Sequence, residues 1–211
     1  MMNPLLSLPA VLSLTLLAAC SNPEKTGRYL IDPPSPPVRV ANQLGPTVEL
    51  RDVSLPAYAS GQEVSWQSAD GAVRSTPDNL WADNPERAVT LTLARAISDV
   101  SGAAVIAEPW PLGEPAERRL EVRVEKALAQ SDGLYRLSGR YFLADESGGG
   151  TNHARSFDIS VPLANAEPQS IAVAQSTALS ILAQQIAALD GAGTTFITRT
   201  PADPFALDPI L

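Results

Sequence analysis

The chain is nearly without cysteine and histidine. Of its 211 residues one is cysteine, Cys20, and one is histidine, His153. A single thiol has no partner for a disulfide within the chain. One histidine and one cysteine fall short of the several His, Cys or carboxylate ligands that a metal site uses, so neither a metal nor a cofactor is expected, and His153 reads as a surface residue. Positive charge is also scarce: 15 Lys and Arg against 23 Asp and Glu give a net charge of −8. That balance excludes the basic face of a nucleic-acid binder. No run of like charges occurs, so the acidity reads as a solvated surface. A Gly-x-x-x-x-Gly-Lys phosphate loop is missing, and so is the Gly-x-Ser-x-Gly elbow of a hydrolase. The chain is therefore read as non-enzymatic, with no catalytic residue.

The first twenty residues carry no charged side chain, and Met1-Met2-Asn3-Pro4 lacks the Lys or Arg that usually opens a secretory signal. Leu5 to Ala19 is apolar but broken by Ser7, Pro9, Ser13 and Thr15. This is too short and interrupted for a membrane-spanning helix of roughly 20 apolar residues, and it fits the apolar core of a signal peptide over 1–19. The stretch closes on Leu17-Ala18-Ala19-Cys20, which resembles the lipobox of bacterial lipoproteins. Small residues give the peptidase access to the backbone, and the Cys20 thiol takes the diacylglycerol. Several acyl chains make a stable anchor, at about 0.8 kcal/mol per buried CH₂. In the lipoproteins this resembles, Asp after the cysteine favours retention in the inner membrane. Ser21 stands there, which implies the periplasmic face of the outer membrane.

Residues 20–46 read as a lipidated cysteine and a tether rich in proline (Pro23, Pro33, Pro34, Pro36, Pro37, Pro46), semi-extended and unable to pack a core alone. Arg28 to Ile31 is a short first strand within it. The body spans 47–189. Val48 and Leu50 alternate with charge, which predicts a strand over 47–54, and 63–67 is a second short candidate. Asp83-Asn84-Pro85-Glu86 is a helix start, and Val89, Leu93, Ala96 and Val100 recur at helical spacing before Gly102. Residues 103–107 predict a buried strand. Leu120, Val122 and Val124 then alternate with Glu121, Arg123 and Glu125; after the Ser131-Asp132-Gly133 turn, 134–144 returns, and 154–161 returns again past Gly148-Gly149-Gly150. Three strands with short links make an antiparallel meander. A second helix, 168–189, carries Ile171, Ala174, Ala178, Leu182, Ile186 and Leu189 as an apolar stripe. Two amphipathic helices on one side of a mostly antiparallel sheet give an α+β domain, and 190–211 reads as an irregular tail.

The order of these features resembles the auxiliary lipoproteins of ABC-type transport systems, the PqiC-like group. The resemblance rests on the lipobox, Arg28-Tyr29-Leu30, Leu55-Pro56-Ala57-Tyr58, Trp81-Ala82-Asp83 before the first helix, the meander and the closing helix. It implies a partner role beside MCE-domain proteins that carry lipid between membranes, with the permease and ATPase on other chains. The lipoprotein would anchor or dock the periplasm-spanning component at the outer membrane. A homo-oligomeric ring suits such a bridge end, though no residue specifies one. The rival reading is an outer-membrane lipoprotein that activates a cell-wall synthase; a third, a soluble lipid carrier, needs an apolar cavity. Tyr58 and Trp81 are the residues singled out, each as a packing anchor or a partner contact; Trp66 and Trp110 are weaker cases. Pro56 is expected to end a strand.

Overall fold

A computed structural model describes residues 25–32 and 38–197; the predicted signal peptide and Cys20 lie outside the described residues. In chain order the elements are β1 (Gly27–Tyr29), β2 (Thr47–Leu50), α1 (Ala57–Ser60), β3 (Trp66–Gln67), β4 (Val73–Arg74), β5 (Asn79–Trp81), α2 (Pro85–Ser101), β6 (Ala104–Ala107), β7 (Arg118–Ala129), β8 (Leu134–Asp145), β9 (Thr151–Pro162), α3 (Pro168–Ala188) and β10 (Gly193–Ile197).

Strands β7, β8 and β9 form the meander that the alternation predicts. Leu120, Val122, Tyr135, Leu137, Tyr141, Leu143, Phe157 and Ile159 are all buried on one face. Arg123, Lys126, Arg140 and Asp158 are exposed on the other. Beyond the meander the sheet gains parallel pairings. Its order is β10-β9-β8-β7-β2-β6, with β3 against the far part of β7 and β4 against β3. β2 runs parallel to both β6 and β7, and β3 runs parallel to β7. The sheet is therefore mostly antiparallel, as expected, but mixed, with parallel pairings at β2 and β3. The reason is connectivity: β2 reaches β6 through α2, and 108–117 carries the chain back before β7, and such crossovers return strands in the same direction. The tail expected to be irregular contributes β10, antiparallel to β9.

Helix α2 is built as its sequence suggests. The Asn84 side chain accepts from the Arg87 N–H at 3.0 Å, Pro85 occupies the first turn, and Gly102 closes the helix at φ 77°. Val89, Leu93, Ala96, Ile97 and Val100 are buried. Helix α3 is different from the expected single stripe. Ile171, Ala172, Ala174, Gln175, Ser176, Ala178, Leu179, Leu182, Ala183, Ile186 and Ala187 are all buried, so it is enclosed on several sides. It is long and apolar enough to cross a membrane by length and composition, but most of it is buried inside the fold. Both long helices pack on the buried face of the sheet, α3 over β8 and β9 and α2 beside β6.

One backbone approach fixes the meander. The β7–β8 register shifts between Val124 and Lys126, a bulge opposite Gly139. A Cβ on Gly139 would lie 2.1 Å from the Arg123 carbonyl oxygen and 3.0 Å from the Val124 Cα. Gly139→Ala is therefore expected to cost about 2–3 kcal/mol, in the upper range of overpacking, read as a lowered urea midpoint with the cooperativity retained.

Candidate anchoring and docking surfaces

The segment read as a tether is bound to the helices over much of its described length. β1 pairs in parallel with β5, bringing Tyr29 beside Trp81. The Tyr29 carbonyl accepts from the Ala82 N–H at 2.9 Å, and its hydroxyl donates to Asn79 Oδ1 at 3.2 Å. The Thr92 hydroxyl of α2 donates to the Ile31 carbonyl at 3.1 Å. The Asp32 N–H donates to the Ser176 hydroxyl of α3 at 3.0 Å. Further on, the Val40 N–H reaches the Val100 carbonyl at 3.0 Å and the Gln43 N–H reaches the Ala187 carbonyl at 2.9 Å. Thr92 and Ser176 are both buried, and each meets a backbone group of this segment that would otherwise be left unpaired against apolar helices. Ile31 and Leu44 are buried with it.

These contacts also give the segment a direction. Glu63 bridges to Leu80 of β5, and Trp66 of β3 pairs with Ala129 at the end of β7. β1 and β5 therefore sit at the Ala129 end of the domain. The Val100 and Ala187 contacts sit at the other end, where the β8–β9 turn lies. β7, 12 residues long, itself runs roughly 40 Å from one end of the sheet to the other at about 3.3 Å per residue.

The two singled-out aromatics are placed differently. Trp81 is 5% exposed within the hydrophobic core, and its N–H donates to the Gln62 carbonyl at 2.8 Å. It offers almost no surface to another molecule. Tyr58 is half-buried on α1, and Pro56 caps that helix. The Tyr58 hydroxyl accepts from the Ala127 N–H at 3.2 Å, next to the β7 bulge. Behind it, Tyr135 is fully buried with no hydrogen-bond partner for its hydroxyl. Burial pushes the Tyr135 phenol up from its ordinary range, and neighbouring Tyr58 adds to the rise. Trp66 lies half-buried on β3. The Trp110 N–H donates to Glu49 at 3.0 Å, and its indole N–H donates to the Glu114 carbonyl at 2.7 Å.

Two of the open surfaces among the described residues bear on docking. The first is the outward face of the meander. There Arg123 and Arg140 stand directly opposite each other on β7 and β8, a pairing that opposes association of the strands. Arg123 is balanced by Glu121 at 2.6 Å and by the Phe142 ring, whose centroid is 5.1 Å away. Arg140 is exposed and has no carboxylate partner among the described residues. The second is a groove of about 430 Å³ between β1 and α3, with Leu30 and Val173 on its rim. Sequence reasoning missed Thr92, Ser176 and Arg140. For the first two the signal was present, because both hydroxyls fall on helix faces otherwise filled by apolar residues.

No group of three or more His, Cys, Asp or Glu side chains among the described residues is placed to hold a metal. His153 lies on β9 opposite Thr195 of β10, whose hydroxyl is 3.1 Å from Nδ1. Burial lowers the His153 pKa, and the Arg155 and Arg118 charges lower it further. The folded state therefore disfavours the proton that the unfolded chain takes up as pH falls through the ordinary value of 6.5. Stability present above that value is lost on acidification. Replacing His153 with Gln should flatten this part of the profile, so the drop in urea midpoint between about pH 7.5 and 5.5 becomes smaller than in wild type.

The profile of the family described as "ABC-type transport auxiliary lipoprotein component" matches residues 29–187. Among proteins of curated function, none matches the sequence significantly. Among solved structures, the chain is similar to the crystal structure of an uncharacterized protein (20% identity, TM-score 0.59, 72% of this chain and 98% of that one). It is also similar to a protein from Xanthomonas campestris (14% identity, TM-score 0.51, 76% and 90%). At these identities the two structures share the fold. The PelC dodecamer of Paraburkholderia phytofirmans aligns with a TM-score of 0.39 at 14% identity, over 71% of this chain and 92% of that one.

Proposed function

This chain belongs to the ABC-type transport auxiliary lipoprotein family, and from that premise we propose that it works as a non-enzymatic adaptor. Lipid on Cys20 holds it to the periplasmic face of the outer membrane. Its domain docks the periplasm-spanning MCE-type component of a lipid-transport system, whose permease and ATPase are separate proteins. The observation that carries this reading is the family match, which begins at Tyr29, shortly after the lipobox cysteine. It gives transport precedence over activation of a cell-wall synthase.

The outward face of the meander suits docking. It is the back of the core sheet, and it presents Arg140 without a carboxylate partner beside the Arg123–Phe142 pair. A partner offering carboxylates there would relieve the repulsion between the two guanidinium groups.

A crosslinking pull-down from membranes tests the adaptor. The wild-type chain should capture an MCE-domain protein, and Cys20→Ala should capture severalfold less. If neither form captures a transport protein, the adaptor reading fails. Arg140→Glu tests the face. The side chain is exposed, so the urea midpoint should stay within about 0.5 kcal/mol of wild type while capture falls severalfold. Undiminished capture would move the docking face elsewhere.

A further inference from the structure

We propose that the rim formed by Leu30 and Val173 rests on the membrane surface and sets the orientation of the domain. This inference depends on lipidation of Cys20, as proposed above.

The first argument is reach. Lys25, the first described residue, lies five steps along the chain from Cys20, and an extended chain covers at most about 3.6 Å per step, or about 18 Å in all. A cysteine held at the headgroups therefore keeps the β1 end of the domain within that distance of the bilayer. The segment leaves no slack beyond it, because the Thr92 and Ser176 hydrogen bonds fix residues 31 and 32 to the two helices.

The second argument is what the domain displays at that end. Tyr29 and Ile31 turn inward, so alternation along the strand turns Arg28 and Leu30 outward. Leu30 is 71% exposed, the highest value among the exposed large hydrophobic residues described. Val173, on the outer stripe of the first turns of α3 with Gln169 and Thr177, is 55% exposed. The two line one groove. An exposed leucine and valine side by side, rimmed by polar groups, suit the boundary between headgroups and acyl chains. Lys25 and Arg28 make no ion pair among the described residues and would meet lipid phosphates. Asp32 is the one carboxylate that lines the groove. Attachment comes from the acyl chains; the rim only turns the domain, and it leaves the β8–β9 turn at the distant end.

Because Cys20 is the only cysteine and its thiol is blocked by lipid, an introduced cysteine is a unique labelling site. The full lipidated chain carrying Leu30→Cys, Val173→Cys or Gly148→Cys would be labelled with an environment-sensitive nitrobenzoxadiazole dye. It would then be reconstituted in phosphatidylethanolamine–phosphatidylglycerol vesicles containing nitroxide lipid. At positions 30 and 173 the emission should shift to the blue and be quenched about twofold or more, as for a group at the headgroup boundary; at 148 neither should occur. If 30 and 173 behave like 148 in protein that floats with the vesicles, the proposal is overturned and the lipoprotein reading stands. A blue shift that grows with protein density and is indifferent to the nitroxide assigns the rim to a second copy of the chain, and also overturns it. Failure of the unlabelled wild type to float with the vesicles removes the lipidation reading and this proposal with it.

Discussion

A helix of 21 residues without a charged side chain has to be enclosed, and the enclosure of α3 governs the rest of this fold. One wall is the buried face of β8 and β9, and a second is α2. Small residues at Ala174, Ala178, Ala183 and Ala187 let these walls come close, while Leu179, Leu182 and Ile186 fill the layer. The third wall is formed by residues 29–32 and 38–44, whose Ile31 and Leu44 are buried against the helices. A peptide laid on apolar helices must find partners for its own N–H and C=O groups. Thr92, Ser176 and the carbonyls of Val100 and Ala187 provide them.

That third wall is continuous with the chain that carries Cys20. A freely swinging tether would leave a lipid-anchored domain at every angle to its membrane. Here the first strand is tied to β5 by Ala82 and Asn79, and the next residues are tied to both long helices. The same hydrogen bonds that close the core over α3 also hold the start of the tether to the domain. With Cys20 lipidated as proposed, position relative to the membrane and stability of the core are coupled through residues 29–32. For an adaptor, orientation is the useful property, since a docking face acts only when it points at the partner.

The parts of this architecture that were legible in the sequence are those with a local cause. Leu120-Glu121-Val122-Arg123-Val124 alternates strictly, and Ser131-Asp132-Gly133 supplies a tight turn, so the meander could be read residue by residue. Asn84-Pro85-Glu86 and Gly102 mark both ends of α2 in the sequence, and they do so in the structure. What stayed hidden depends on distant partners. β5 is three residues long and exists because β1 and the 62–64 stretch lie beside it. β10, Gly-Thr-Thr-Phe-Ile, carries no period of its own and takes its register from β9. The parallel pairing of β2 follows from where α2 and 108–117 deliver the chain, which no window of sequence records. The surfaces were hidden for a related reason: Leu30 reads as one apolar residue among others until the inward turn of Tyr29 and Ile31 forces it out.

The chemistry of the side chains points the same way. The groups with the most potential for reaction are engaged in fastening the chain to itself. The Tyr141 hydroxyl, its pKa raised by burial, donates to the Asp190 carbonyl and ties the end of α3 to β8. Arg155 reaches the carbonyls of Leu189 and Thr194 and the Thr195 hydroxyl, stapling β10 to the sheet. His153 meets Thr195 in the same staple. Asp145, held below the usual carboxylate range by Ser147, the Gly150 N–H and Arg118, locks the β8–β9 turn. Each is saturated by partners within the chain, and a saturated group gains little from a ligand. Arg140, Leu30 and Val173 are not saturated, and they lie on broad outer surfaces. Among the described residues the Tyr135 hydroxyl is the one buried side-chain polar atom without a partner, while Arg140, Leu30 and Val173 face outward, and the proposed contacts with a protein and a membrane rest on those outer surfaces.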